Sequence, residues 1–240
     1  MPTIRELKEK ANAKRGDPIY RLMNNLAYYP AKLFLYTPLT PNQITIIWII
    51  GQIISALFLA TGDQLTMIIS LIFFQAFFII DCSDGIVARY RKRFSINGIY
   101  LDQLGHYLAN SILLLTFSIG VFRWYNNAIY LLYGILAVIF FLLNKAITLN
   151  PMWYPKEQRN LISDTGKKSL LRFQHKLIYN VFALFRLEHF FNILFWGVVF
   201  GYPNYTLILY TLFFFLELVR KIITQYIANE KSVFSQVDDF

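Results

Sequence analysis

The sequence predicts an all-α, polytopic membrane protein: six transmembrane helices preceded by an amphipathic helix lying at the membrane interface. Three observations lead there. Hydrophobic residues make up 56% of the 240 residues and charged residues only 15%, a balance too apolar for an ordinary soluble domain. Apolar runs long enough to enter a hydrocarbon core alternate with short polar linkers. Basic residues fall almost wholly on every second linker, as expected of loops held on the cytoplasmic side. The length is that of one domain, divided into a cytoplasmic interfacial segment (1–40), a six-helix membrane domain (41–228) and a tail (229–240).

From Met1 to Arg15 the chain is polar and charged, without the apolar core of a secretory signal. Asp17-Pro18 is a good helix opening, with Asp as N-cap and Pro at the first helical position. Behind it Ile19, Leu22, Met23, Leu26, Leu33 and Phe34 recur at helical spacing, with Pro30 expected to interrupt the helix. This segment reads either as a helix lying on the bilayer or as one packed against the bundle. The six spans are about 44–60, 65–80 continuing as helix to near Arg91, 99–122, 128–149, 189–200 and 205–226. Arg186, Glu188 and His189 break the fifth pattern, so that span is expected to begin as a surface helix from Lys168. Thr61-Gly62-Asp63, Asn126-Asn127 and Gly201-Tyr202-Pro203-Asn204 carry turn chemistry.

With a cytoplasmic amino terminus, all of the 23 Lys and Arg except Arg123 lie on the cytoplasmic side. The net charge of +9 therefore reflects orientation in a lipid bilayer; no aromatic-basic surface pattern points to nucleic acid. The single cysteine, Cys82, excludes an internal disulfide and reads as a small buried helix residue. His175 and His189 read as interface histidines.

The polar stretch from Asp81 to His106 carries the chemistry. At about 1.5 Å per residue, the run from Leu65 to Ile80 covers about 24 Å of a core about 30 Å thick, which leaves Asp81 about 6 Å from the far surface. On the returning helix Asp102 and His106 reach similar depth. Asp81 and Asp84 share one helix face (i,i+3), and Asp102 and His106 share another (i,i+4). Carboxylates at that depth repel one another and lose hydration, and a divalent cation removes both costs.

The pattern Asp81-x-x-Asp84-Gly85-x-x-Ala88-Arg89, then Gly98-x-x-x-Asp102-x-x-x-His106, resembles the signature of the CDP-alcohol phosphotransferases. Seven of the eight signature residues stand at the family's spacings; the eighth, an Asp in the family, is His106. Thr40-Pro41-Asn42-x-x-Thr45 resembles the opening of the family's first membrane helix, Ser95 also fits, and the likeness covers about residues 38–228. The resemblance implies an integral-membrane transferase that moves a substituted phosphate from a CDP-alcohol, such as CDP-diacylglycerol or a CDP-linked polyol, to an acceptor hydroxyl. CMP is released, and the setting is phospholipid or related phosphodiester synthesis. It further implies Mg2+ or Mn2+, one or two ions, at Asp81, Asp84, Asp102 and position 106, and nucleotide contacts at Asn42, Thr45, Gly85, Ala88, Arg89, Ser95 and Gly98. Oxygen ligands suit either ion, and the Arg89 fork suits phosphate.

Three readings of His106 stand: a neutral imidazole acting as base, a nitrogen ligand favouring Mn2+ over Mg2+, or weakened catalysis in a nucleotide-binding protein. Family members that take phosphorylated acceptors carry cations in places similar to Lys145, Arg172 and Arg220, which could grip an anionic acceptor; basic residues at helix ends also snorkel to lipid phosphates. Glu217 and Arg220 stand at pairing distance, i,i+3. The rival function is a divalent-cation transporter using the same acidic cluster. It lacks a polar route outward, since 65–80 offers only Ser70 and Gln75, and 99–122 little past Asn110 and Ser111. A homodimer is compatible with the sequence.

Overall fold

The structure is a computed structural model and describes residues 2–11, 18–93, 95–149, 185–187 and 192–237. Among the described residues every regular element is a helix: α1 (Ile4–Lys10), α2 (Pro18–Leu35), α3 (Pro41–Leu59), α4 (Gln64–Arg91), α5 (Ile96–Tyr125), α6 (Ile129–Leu149), α7 (Ile193–Val199) and α8 (Pro203–Val237). Four of them, α3 to α6, are long and apolar enough to cross a membrane. The surroundings of Lys168, Arg172, His175 and His189 lie outside the described residues, as does the lead-in to the fifth span.

Helix starts follow side-chain chemistry. Thr3 and Glu6 form a reciprocal capping box on α1, as Thr40 and Gln43 do on α3, where Pro41 takes the first helical position. Asp63 caps α4: the Thr66 N–H and hydroxyl both donate to its carboxylate and hold it below the usual carboxylate range. Ser95 caps α5 by accepting the Gly98 N–H at 2.9 Å, and Asn192 caps α7. At the far ends, Lys92 and Asn126 adopt left-handed conformations that stop α4 and α5.

Pro30 does not interrupt α2. The helix runs unbroken through it, because Met23, Ala27, Tyr28 and Ala31 are buried along α4, and tertiary packing outweighs the lost backbone bond. A second stripe, Leu22, Leu26, Tyr29 and Leu33, stays exposed. Both faces of α2 are thus apolar, one against the protein and one outward. The short helix α1, which apolar periodicity did not suggest, tucks Leu7 and Ala11 into the same cluster.

Helix α3 packs against α4 and α5, α6 against α5 and α8, and α7 against α4 and α8. One core cluster joins Leu59, Met67, Phe74, Leu113, Phe117, Leu207 and Tyr210; a second joins Leu7, Met23, Ile44, Phe78, Cys82 and Ile86. Where α5 crosses the end of α3, a Cβ on Gly120 would fall 2.1 Å from the Leu59 carbonyl oxygen, so only glycine permits this approach. Arg91 ties the α2–α3 linker to the end of α4 by donating to the carbonyls of Phe34, Thr37 and Leu39.

Candidate functional site

Helix α4 continues three turns beyond its apolar run and carries Asp81, Asp84, Gly85, Ala88 and Arg89; α5 begins at its Ser95 cap and brings Asp102 and His106 back alongside. The two helices converge on one group. His106 Nε2 lies 3.6 Å from Asp81 Oδ2 and 3.7 Å from Asp102 Oδ1, and the ligand atoms of the three residues all lie within 4.8 Å of one another. Asp81 is buried; Asp102 and His106 are half-buried. Two carboxylates and an imidazole at that spread fit one divalent cation, whose bonds to such atoms run about 2.0–2.6 Å.

Asp84 stands beside this group, not within it. Its Oδ2 accepts the Thr45 hydroxyl at 2.6 Å and the Trp48 indole N–H at 3.2 Å, both from α3. Of the four side chains expected at the metal, the structure therefore gathers three, with Asp84 turned toward α3.

Asp84 lines a cavity of about 200 Å3, which Asp102 of the group also borders. All seven residues expected to contact nucleotide, Asn42, Thr45, Gly85, Ala88, Arg89, Ser95 and Gly98, line the same cavity. Its walls are closely fitted. A Cβ on Gly98 would meet Asn42 Oδ1 at 2.7 Å and Ser95 Oγ at 2.9 Å, and Asn42 and Ser95 lie within hydrogen-bond reach of each other at 3.4 Å. Gly85 leaves space that the Arg89 guanidinium occupies, 3.2 Å from where a Cβ would be. Arg89 Nε donates to the Ala11 carbonyl at 3.1 Å, so α1 steadies a cation of the cavity wall.

A second cavity, of about 230 Å3, opens between α5, α6 and α8, with Asn110, Lys145, Arg186, Glu217 and Lys221 in its lining. Lys145 Nζ sits 5.4 Å from the Phe141 ring centroid and 6.0 Å from that of Tyr107. Arg220 is bound to Glu217 through two hydrogen bonds of 2.9 and 2.7 Å; Lys221 lies 3.7 Å from Glu217 and donates to the Asn144 carbonyl at 3.0 Å. Of the expected acceptor cations, Lys145 lines the cavity and Arg220 is held by its i,i+3 neighbour.

Sequence reasoning missed Trp48 and the role of Arg91. A signal for the first was present: an indole N–H inside an apolar span needs an acceptor, and Trp48 is one turn past Thr45 on the same face of α3.

The model of the family described as CDP-alcohol phosphatidyltransferase matches residues 38–203 of the chain. No curated protein matches it. The matched residues include both site helices and α3 in full, together with the His106 position.

Proposed function

The chain belongs to the CDP-alcohol phosphatidyltransferase family of membrane transferases for phosphate-containing groups, and from that premise we propose that it transfers a substituted phosphate from a CDP-alcohol to an acceptor hydroxyl, releasing CMP. The observation that carries this reading is the adjacency of the Asp81, Asp102 and His106 trio to a cavity whose lining contains every residue expected to touch nucleotide. In the proposed complex Asn42, Ser95, Gly98 and Arg89 hold the cytidine diphosphate. Asp81 and Asp102 would hold Mg2+ or Mn2+ beside it, joined from the adjoining wall by Asp84, whose Oδ2 is taken by Thr45 and Trp48 and whose other oxygen would serve the ion. A bound cation would neutralise the diphosphate and the leaving CMP. The acceptor oxygen attacks the phosphorus bearing the donor alcohol, and the bond to the CMP oxygen breaks. His106, whose imidazole stands beside the two carboxylates, takes the hydroxyl proton.

A second reading of His106 has its own support, because the convergence of its Nε2 with the two carboxylates within 4.8 Å equally suits a nitrogen ligand that favours Mn2+. The acceptor enters from the cavity at Lys145 and Lys221, which suits an anionic or polar alcohol. Residues 41–228 form a six-helix membrane domain in this reading, with α7 and α8 completing the last two spans. Residues 1–40 lie along the cytoplasmic interface with the exposed stripe of α2 in lipid, and 229–240 form a tail. Transport of the cation receives no comparable support, since Leu71, Phe74, Leu113 and Phe117 are buried in the bundle beyond the site.

Purified protein incubated with CDP-diacylglycerol and other CDP-alcohols, candidate acceptors and either metal should release CMP only when donor, acceptor and metal are all present. Cation flux into liposomes without CMP release would reject the enzyme and favour transport.

A further inference from the structure

Trp48 has no solvent exposure, yet three features of its surroundings each fix a different part of the ring. Its N–H donates to Asp84 Oδ2 at 3.2 Å. Its face lies against the His106 imidazole, with ring centroids 5.0 Å apart and planes inclined by 35°. The ring edge sits in a notch on α5 that exists because residue 105 is glycine: a Cβ there would fall 2.7 Å from the Trp48 ring edge and 2.5 Å from Ile49. A tryptophan needed only to fill space would be placed equally well by any one of these. All three together leave the indole one orientation, and that orientation joins a cavity-lining carboxylate to the imidazole of the trio.

We infer that Trp48 is a positioning residue for the reaction, holding the Asp84 carboxylate through its N–H and the His106 ring plane through its face. The inference rests on the donor-binding reading above and adds to it a separate residue with two separable tasks. Buried in an apolar span, the indole N–H has strong reason to keep its acceptor, and an aromatic face limits how far an adjacent imidazole can rotate. The donor cavity and the acid–base group are in this way set by one rigid side chain on a third helix.

The two tasks separate by substitution. Trp48→Phe keeps an aromatic face and loses the N–H. Its affinity for CMP in the presence of Mg2+, measured by calorimetry, is expected to fall about tenfold, as for loss of a buried hydrogen bond to a charged group, with a smaller fall in kcat at saturating donor. Trp48→Leu loses both, so kcat is expected to fall about tenfold further as the imidazole loses its fixed plane. A readout independent of turnover comes from the chain's three histidines, labelled with 13C. The His106 ring-proton resonance, assigned by its loss in His106→Ala, should be displaced by the indole ring current in the wild type, less so in Trp48→Phe, and not at all in Trp48→Leu. Trp48→Phe binding CMP as tightly as the wild type, or Trp48→Leu matching Trp48→Phe in kcat and in the His106 resonance, would overturn the inference. If the wild type itself binds no CMP, the donor reading falls, and the histidine resonance still decides whether Trp48 orients His106.

Discussion

The cavity between α3, α4 and α5 and the one between α5, α6 and α8 handle charge in opposite ways. In the first, Asp84 is met by a hydroxyl and an indole N–H, and Asp81 and Asp102 share one imidazole. In the second, the single acid Glu217 is met by a guanidinium and an ammonium from its own helix. Neutral donors orient a carboxylate without cancelling its charge, so the first group keeps its demand for a cation from solution. Glu217 has already spent its charge on Arg220 and Lys221. The difference teaches that the acidic group is suited to a ligand of positive charge, whereas the second cavity, where Lys145, Arg186 and Lys221 face the one acid Glu217, keeps a net positive lining suited to an anion.

The contrast can be broken most decisively at Asp84. Asp84→Asn keeps the shape and removes the charge, and metal-dependent CMP binding is expected to fall by about 100-fold or more by calorimetry, since both the cation and its partners' orientation are lost. Unchanged affinity would remove Asp84 from the site. Next in size is His106. Turnover of His106→Ala should fall by about 100-fold or more if the imidazole is the base, whereas His106→Asp should retain or raise turnover with Mg2+. A His106→Ala enzyme as fast as the wild type ends that role, and a variant that loses Mn2+ affinity with little change at saturating metal selects the ligand reading instead.

Glu217→Gln sharpens the other side. Freeing Arg220 and Lys221 should lower the KM for a phosphorylated acceptor by up to about fivefold, the scale of a partly exposed ion pair, and leave CMP affinity untouched. A change in CMP affinity would mean the two cavities are not separate. The smallest expected effect on function belongs to Gly120→Ala, remote from both cavities. Its Cβ would collide with the Leu59 carbonyl, and overpacking of about 1–3 kcal/mol should appear as a lower melting temperature in detergent with unchanged CMP affinity per folded molecule.

Much of the bundle was legible because span, turn and cap each leave a local mark. The runs at 44–60, 65–91, 99–122 and 128–149 correspond to α3 to α6, and the observed ends differ where a cap lies outside the apolar run, at Thr40, Ser95 and Asn126. Helix α1 went unread because its signal is the Thr3–Glu6 box, not apolar periodicity. The interruption expected at Pro30 failed because intrinsic propensity carries no knowledge of the α4 surface that supports α2. In the site, i,i+4 spacing put Asp102 beside His106, whereas the i,i+3 pair Asp81 and Asp84 meets different partners, because spacing along one helix is blind to the helices around it. Only the position of α3 reveals that Asp84 turns toward Thr45 and Trp48. Both cavities were invisible for the same reason, being made where helices meet.

The bond from Arg89 to the Ala11 carbonyl has a practical side. It ties the end of α1 to the cavity that Arg89 lines, so a bulky fusion or a protease cut ahead of α2 would be expected to loosen a guanidinium far along the chain. An affinity handle for purification therefore belongs at the carboxyl end, and a preparation trimmed at its start would be expected to show weakened donor binding with its membrane helices intact.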